Sequence, residues 1–138
     1  MFTQLQELVD LAQENPPTRV AVAAAAHKLV LQSVQRAVKQ GLIVPLLVGR
    51  EEDIRAQAEA IGWELKSEQI VSTETNRAAA DMAVDLVRQG EAHVLMKGYL
   101  HTDEMLHSVL QHESGLRTDR LLSHVFVMEV PTYHKLLL

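Results

Sequence analysis

The sequence predicts an α/β fold, a three-layer αβα sandwich around a mostly parallel sheet. Its short apolar runs are continuous rather than alternating, as in strands covered on both faces. Segments with helical periodicity of about three turns separate them. The composition agrees: 47% hydrophobic residues in a chain of 138 are enough for one core, and six Gly with four Pro exclude collagen-like or linker-dominated chains.

Each element follows from local chemistry. Thr3 and Gln6 have capping-box spacing, and Leu5, Leu8, Val9 and Ala12 then share a helical face that Asn15-Pro16-Pro17 ends. Arg19 to Ala24 is an apolar run expected to be a buried strand. Val30, Val34, Ala37 and Val38 recur at helical spacing, with Gly41 placed to end the helix. Ile43 to Val48 is a second strand, in which Pro45 is expected at the beginning or on an edge because it lacks an amide donor. Glu51 to Ile61 is a helix stopped by Gly62, and Ile70-Val71 a short strand. Asn76 to Gln89 is a helix with Ala79, Ala83, Leu86 and Val87 inward, ended by Gly90. Ala92 to Met96 is a strand, and Thr102 is expected to cap a helix through Leu110, with Asp103 and Glu104 in its first turn where the helix dipole favours acids. His124 to Val130 is expected to be a long strand bounded by Pro131. The apolar end, Leu136-Leu137-Leu138, reads as a strand interrupted in the middle, so an incomplete α/β unit is expected.

The net charge of −5 argues against a nucleic-acid partner. No apolar run approaches the roughly 20 residues of a membrane span, and the acidic first helix is unlike a signal peptide, so no membrane association and a cytoplasmic location are expected. With no cysteine there is no thiolate nucleophile and no disulfide. The seven histidines show no H-E-x-x-H spacing, and neither a P-loop nor a dinucleotide-binding glycine pattern occurs. No metal site or bound cofactor is expected.

In open α/β sheets ligands bind beyond the carboxyl ends of the strands. Three stretches occupy such positions: Ala24 to His27, Lys97 to Thr102 and Gly115 to His124. The middle one leaves a strand with a cation and a glycine and opens a helix with a hydroxyl. Gly98 would let the backbone approach a ligand or take a positive φ, Thr102 and the first helical amides would face an anion, and Lys97 would add a point charge. On spacing alone the same residues suit a plain turn, a structural cap and a solvated lysine better. Arg117 can bind phosphate bidentately or pair with Asp119 on a solvated turn.

The run Val94-Leu95-Met96-Lys97-Gly98-Tyr99-Leu100-His101-Thr102, then Gly115-Leu116-Arg117-Thr118, then Leu122 to Pro131, resembles the phosphate acetyltransferase/phosphate butyryltransferase family. Val20 to Ala24 and Pro45 to Gly49 are similar to its opening strands, and the M-K-G form leans toward the butyryl branch. The resemblance implies interconversion of acyl-CoA plus phosphate with acyl phosphate plus CoA. It also implies a fold similar to isocitrate and isopropylmalate dehydrogenases, with two lobes around a cleft, in a homodimer about twice this length per chain. Residues 1–122 would then be the first lobe and residues 123–138 the start of the second lobe or inter-lobe strands. Lys97, Gly98, His101, Thr102, Arg117 and Ser123 are the phosphate- or acyl-binding candidates. His101 and His124 are expected to position substrate or structure rather than act as bases. The family's catalytic serine and aspartate have no match here and are expected beyond Leu138, and His107 stands near the place of an arginine found in acetyl-type members. A non-catalytic binding or dimerisation lobe, or a regulatory lobe like that of some malic enzymes, is the alternative.

Overall fold

The computed structural model describes residues 2–137, so the end of the expected interrupted strand, Leu138, lies outside the described residues. The elements follow in the order α1 (Leu5–Gln13), β1 (Thr18–Ala23), α2 (Lys28–Lys39), β2 (Ile43–Gly49), α3 (Glu51–Glu59), β3 (Ile70–Ser72), α4 (Asn76–Arg88), β4 (Val94–Lys97) and α5 (Thr102–Leu110), with a 3-10 turn at Ser67–Gln69. All strand pairs are parallel, in the order β3-β2-β1-β4.

The continuous apolar strands are explained by the layers on either side. Along β1, Val20 and Val22 face one core, with Leu31 and Val34 of α2 and Ile54 and Ala58 of α3. Ala21 and Ala23 face the other, with Ala79, Ala80 and Ala83 of α4 and Met105 of α5. Val20 to Ala23 of β1 are thus buried whichever way they point, which is the three-layer arrangement. Burial of side chains such as Leu31, Leu47 and Ile54 stabilises by about 2–3 kcal/mol each relative to exposure.

Pro45 lies inside β2, opposite Val20. Val48 O accepts from Ala25 N on the β1 side and Gly49 O accepts from Thr73 N on the β3 side. By alternation Pro45 directs its nitrogen toward β3, which begins only opposite Leu47. No donor is missed there, so the strand tolerates the proline at a local edge. Gly41 and Gly90 end α2 and α4 with φ of +72° and +76°, the left-handed conformation a helix C-terminus asks of glycine.

Three local expectations are corrected. Helix α1 starts at Leu5 after Gln4, and Glu7, not Gln6, reaches back to accept from the amides of Thr3 and Gln4, each at 3.1 Å. Helix α5 is preceded by His101, so Thr102 is its first residue and not its cap. The stretch His124 to Val130 is not a strand: one isolated antiparallel bridge, Met128 to Leu137, is its only ladder contact among the described residues. Strands exist through their partners. This run has apolar content but no neighbour to pair with, and Val125 and Phe126 stay exposed.

Candidate functional site

The chain steps from β1 to β2 to β3 in one direction and then returns to place β4 on the other side of β1. The carboxyl ends of β1 and β4 therefore form the switch point at which such sheets open a crevice. The register pairs Ala23 with Lys97, so the loops Ala24–His27 and Gly98–His101 leave side by side.

These loops are tied together. Gly98 N donates to Ala23 O at 2.8 Å, and Tyr99 N donates to Ala24 O at 2.9 Å. A Cβ on Gly98 would sit 2.3 Å from Ala23 O and 2.5 Å from Ala24 O. Gly98 is thus required by the approach of β1, and its φ is not positive. Ala24 holds φ at +53°, a conformation an L-residue keeps only when its surroundings enforce it. Above the junction the rings of His27 and Tyr99 stack at 4.1 Å with an interplanar angle of 7°, while His27 Nδ1 accepts from Leu29 N at 3.3 Å and caps α2.

Lys97 stands between two concavities, its Nζ donating to Leu100 O at 2.8 Å. The first, about 310 Å³, is lined by Asn76, Lys97, Gly98, Tyr99, Leu100, His101 and Glu104. Glu104 accepts from His101 N at 3.1 Å, so the first turn of α5 already holds a carboxylate against its free amides. An anion there would meet Glu104 at close range and gain little from the helix dipole. The second, about 430 Å³, lies between β4 and α5 and is lined by Leu95, Lys97, Thr102, Met105, Leu106, Val109, Leu122, Ser123 and His124. No acidic residue lines it. It joins a cation with two hydroxyls, a setting suited to an anionic group.

Of the sequence-predicted residues, Lys97, Thr102 and Ser123 thus share the second concavity, while Gly98 and His101 lie with Lys97 in the first. Arg117 lines a neighbouring hollow with Leu110, Thr118, Asp119, Arg120, Leu121 and Leu122, the last of which also lines the second concavity. His124 lines the second concavity, its ring tilted against Phe126 at 4.3 Å.

Two structural contacts near the site escape the sequence. Ser108, 2% exposed, donates its hydroxyl to Asp81 Oδ1 at 2.6 Å and ties α5 to α4, and Asp81 also pairs with Arg77 at 3.2 Å. The position of Ser108 three residues after Met105 is the available signal, since it places the hydroxyl on the inward face. The His27–Tyr99 stack joins residues 72 apart and leaves no local pattern. Far from the site, the Thr3 hydroxyl, followed by the Thr3 amide, holds the Glu7 carboxyl below the usual glutamate range.

The family model described as "Phosphate acetyl/butaryl transferase" matches residues 3–85 and 72–138. The chain belongs to this family. Among its relatives, the phosphate acetyltransferase of Rhizobium meliloti is 40% identical over 129 residues, covering 94% of this chain and 41% of the relative. The phosphate butyryltransferase of Clostridium beijerinckii is 36% identical over 137 residues, covering 99% and 45%. The chain thus spans less than half the length of these curated relatives. A phosphotransacetylase structure from Streptococcus pyogenes shares the fold, with a TM-score of 0.65 at 17% identity over 78% of this chain and 42% of that one. Among the described residues no helix is long and apolar enough to cross a membrane.

Proposed function

We propose that this chain is the first lobe of a phosphate acyltransferase that interconverts acyl-CoA and phosphate with acyl phosphate and CoA. The observation that carries the reading is the acid-free concavity in which Lys97, Thr102 and Ser123 meet at the tip of β4. In the acyl phosphate direction the CoA thiolate attacks the acyl carbonyl, a C–S bond forms, the C–O bond to phosphate breaks, and phosphate leaves with the electron pair. The thiol proton passes to a base. Neither oxidation nor reduction occurs, so the reaction as written uses CoA and phosphate as substrates and no cofactor. Lys97 neutralises phosphate charge, and the hydroxyls of Thr102 and Ser123 donate to the phosphate or to the developing oxyanion. Gly98 sets the position of Lys97 by locking its loop onto β1. His124 stands at the concavity as a positioning group, His101 remains the lead-in to α5, and Arg117 is placed at the periphery. The general base and the CoA groove belong to residues beyond Leu138, with residues 1–122 as the first lobe and 123–138 leading to the second.

A homodimer in the cytoplasm, without nucleic acid or membrane, is the setting we propose. The second reading, a non-catalytic lobe that binds a ligand or a second copy, draws on one observation: Leu121, Leu122, Val125 and Phe126 are each exposed.

The experiment is phosphate- or arsenate-dependent CoA release from acetyl-CoA and butyryl-CoA by a protein containing this chain. Lys97→Ala is expected to raise the KM for phosphate about tenfold, the equivalent of one charge-assisted contact of about 1.4 kcal/mol, with the fold retained although the Lys97 Nζ bond to Leu100 O is lost. Unchanged phosphate saturation would remove Lys97 from the site. The 138 residues alone are expected to turn over negligibly, because half a cleft does not orient both substrates.

A further inference from the structure

We propose that Glu104 sorts the two concavities beside Lys97, excluding phosphate from the first and so confining it to the side of Thr102 and Ser123. The proposal rests on the acyltransferase reading above and assigns a specificity-determining residue to that site. Lys97 lines both concavities. Its Nζ donates to Leu100 O at 2.8 Å, and among the described residues neither Lys97 nor Glu104 is in an ion pair. The lysine charge is therefore offered to both sides, and alone it gives phosphate no reason to prefer one.

The start of α5 supplies the reason. Thr102 is its first residue and Glu104 its third, so at 3.6 residues per turn their side chains leave the axis roughly 200° apart. One turn of helix thus turns a hydroxyl to the second concavity and a carboxylate to the first, while Asp103 between them lines neither. The bond from His101 N to Glu104 Oε2, at 3.1 Å, anchors that carboxylate to the loop leading into the helix. In the first concavity Glu104 offsets Lys97; in the second Lys97 acts unopposed beside two hydroxyls. Like charges across a space of about 310 Å³ cost an anion about tenfold in affinity once salt screening is included. A phosphate seated on the acid side would occupy Lys97 without meeting Ser123 in the second concavity, a nonproductive mode. Its exclusion gives the scissile C–O bond one location relative to Thr102 and Ser123.

The test is Glu104→Gln in the protein containing this chain. Glutamine keeps an oxygen to accept from His101 N, so the helix start is preserved while the charge is removed. Inorganic phosphate is titrated into parent and variant and followed by NMR. The amides of Thr102 and Ser123 report on the second concavity, and the Tyr99 ring and Asn76 side-chain amide on the first. In the parent only the Thr102 and Ser123 signals are expected to shift. In the variant all four are expected to shift, with affinity at Tyr99 and Asn76 raised about tenfold. In turnover, kcat and the phosphate KM of the variant are expected to fall together, about twofold if the two seats become equal, the mark of nonproductive binding. Glu104→Ala loses the helix-start bond as well; if it alone departs from the parent, Glu104 acts as a cap and the proposal falls. Parent signals from Tyr99 and Asn76 that move with those of Thr102, or no shift in any of the four, overturn it too. Turnover with the glutamine variant matching the parent in both measurements removes the sorting and leaves the transferase reading intact. Should no acyl-CoA turn over while Glu104 still divides the phosphate shifts, the sorting stands and the transferase reading falls.

Discussion

Gly98→Ala tests whether the junction of β1 and β4 is as close as the hydrogen bonds indicate. The new methyl carbon would lie 2.3 Å and 2.5 Å from two backbone oxygens, of Ala23 and Ala24, and neither belongs to a side chain that can rotate away. Relief requires the β4 loop to lift, which weakens the Gly98–Ala23 and Tyr99–Ala24 bonds. Two hydrogen bonds at about 1 kcal/mol each, with an overpacking penalty of about 1–3 kcal/mol, give a loss of about 3–5 kcal/mol. Against a domain stability of about 5–15 kcal/mol this is a large fraction. At roughly 3–5 °C per kcal/mol, the melting point should fall on the order of 10–20 °C. Circular dichroism melting of the variant beside Gly90→Ala measures it. Gly90 has φ +76° with nothing within 4 Å of its Cβ position, so its substitution meets only left-handed strain of about 1–2 kcal/mol. If Gly98→Ala melts no lower than Gly90→Ala, the steric account of the junction is wrong.

Two further outcomes are expected. Ser108→Ala removes a buried 2.6 Å bond to Asp81 and should lower stability by about 1–2 kcal/mol, with faster amide exchange in α5 than in α2; equal exchange in both helices would show that the bond does not hold α5 to α4. The Glu7 carboxyl is held below its ordinary range, so it stabilises α1 fully above about pH 4.3, where a free glutamate titrates, and that contribution is lost as pH falls through its lowered value. Glu7→Gln should therefore match the parent in strong acid and be less stable at neutral pH; a constant difference at every pH would contradict the assignment.

The continuous apolar runs and helix periods reveal most of the layered core because burial is a property of single positions. Runs such as Thr18–Ala23 and Ile43–Gly49, and the inward alanines of α4, need no knowledge of a partner to be read. His124 to Val130 shows the converse, since apolar content marks what seeks cover and not what covers it. The shift of the α5 cap from Thr102 to His101 has a related cause: a threonine and a histidine next to each other both fit the cap, and the reach of Glu104 to the His101 amide decides. In the site, Lys97, Thr102 and Ser123 are legible as residue types beyond strand ends, whereas the separation of Gly98 and His101 from Thr102 and Ser123 into two hollows depends on Glu104 and on the path of residues 122–124. The apolar wall of Leu95, Leu106 and Val109 is hidden in the sequence, because those residues look like any core-facing stripe.

The alanine face between β1 and α4 carries a consequence for how this lobe can vary. Ala21 and Ala23 meet Ala79, Ala80 and Ala83, so helix and sheet approach with almost no side chain between them. A larger residue at any of these places has nowhere to go, and a smaller one hardly exists. The opposite face, filled by Val22, Leu31, Leu47 and Ile54, can exchange volume among its members. Drift in this lobe is therefore channelled to one side of the sheet, and the foundation beneath the strand tips stays fixed while their loops remain free to change.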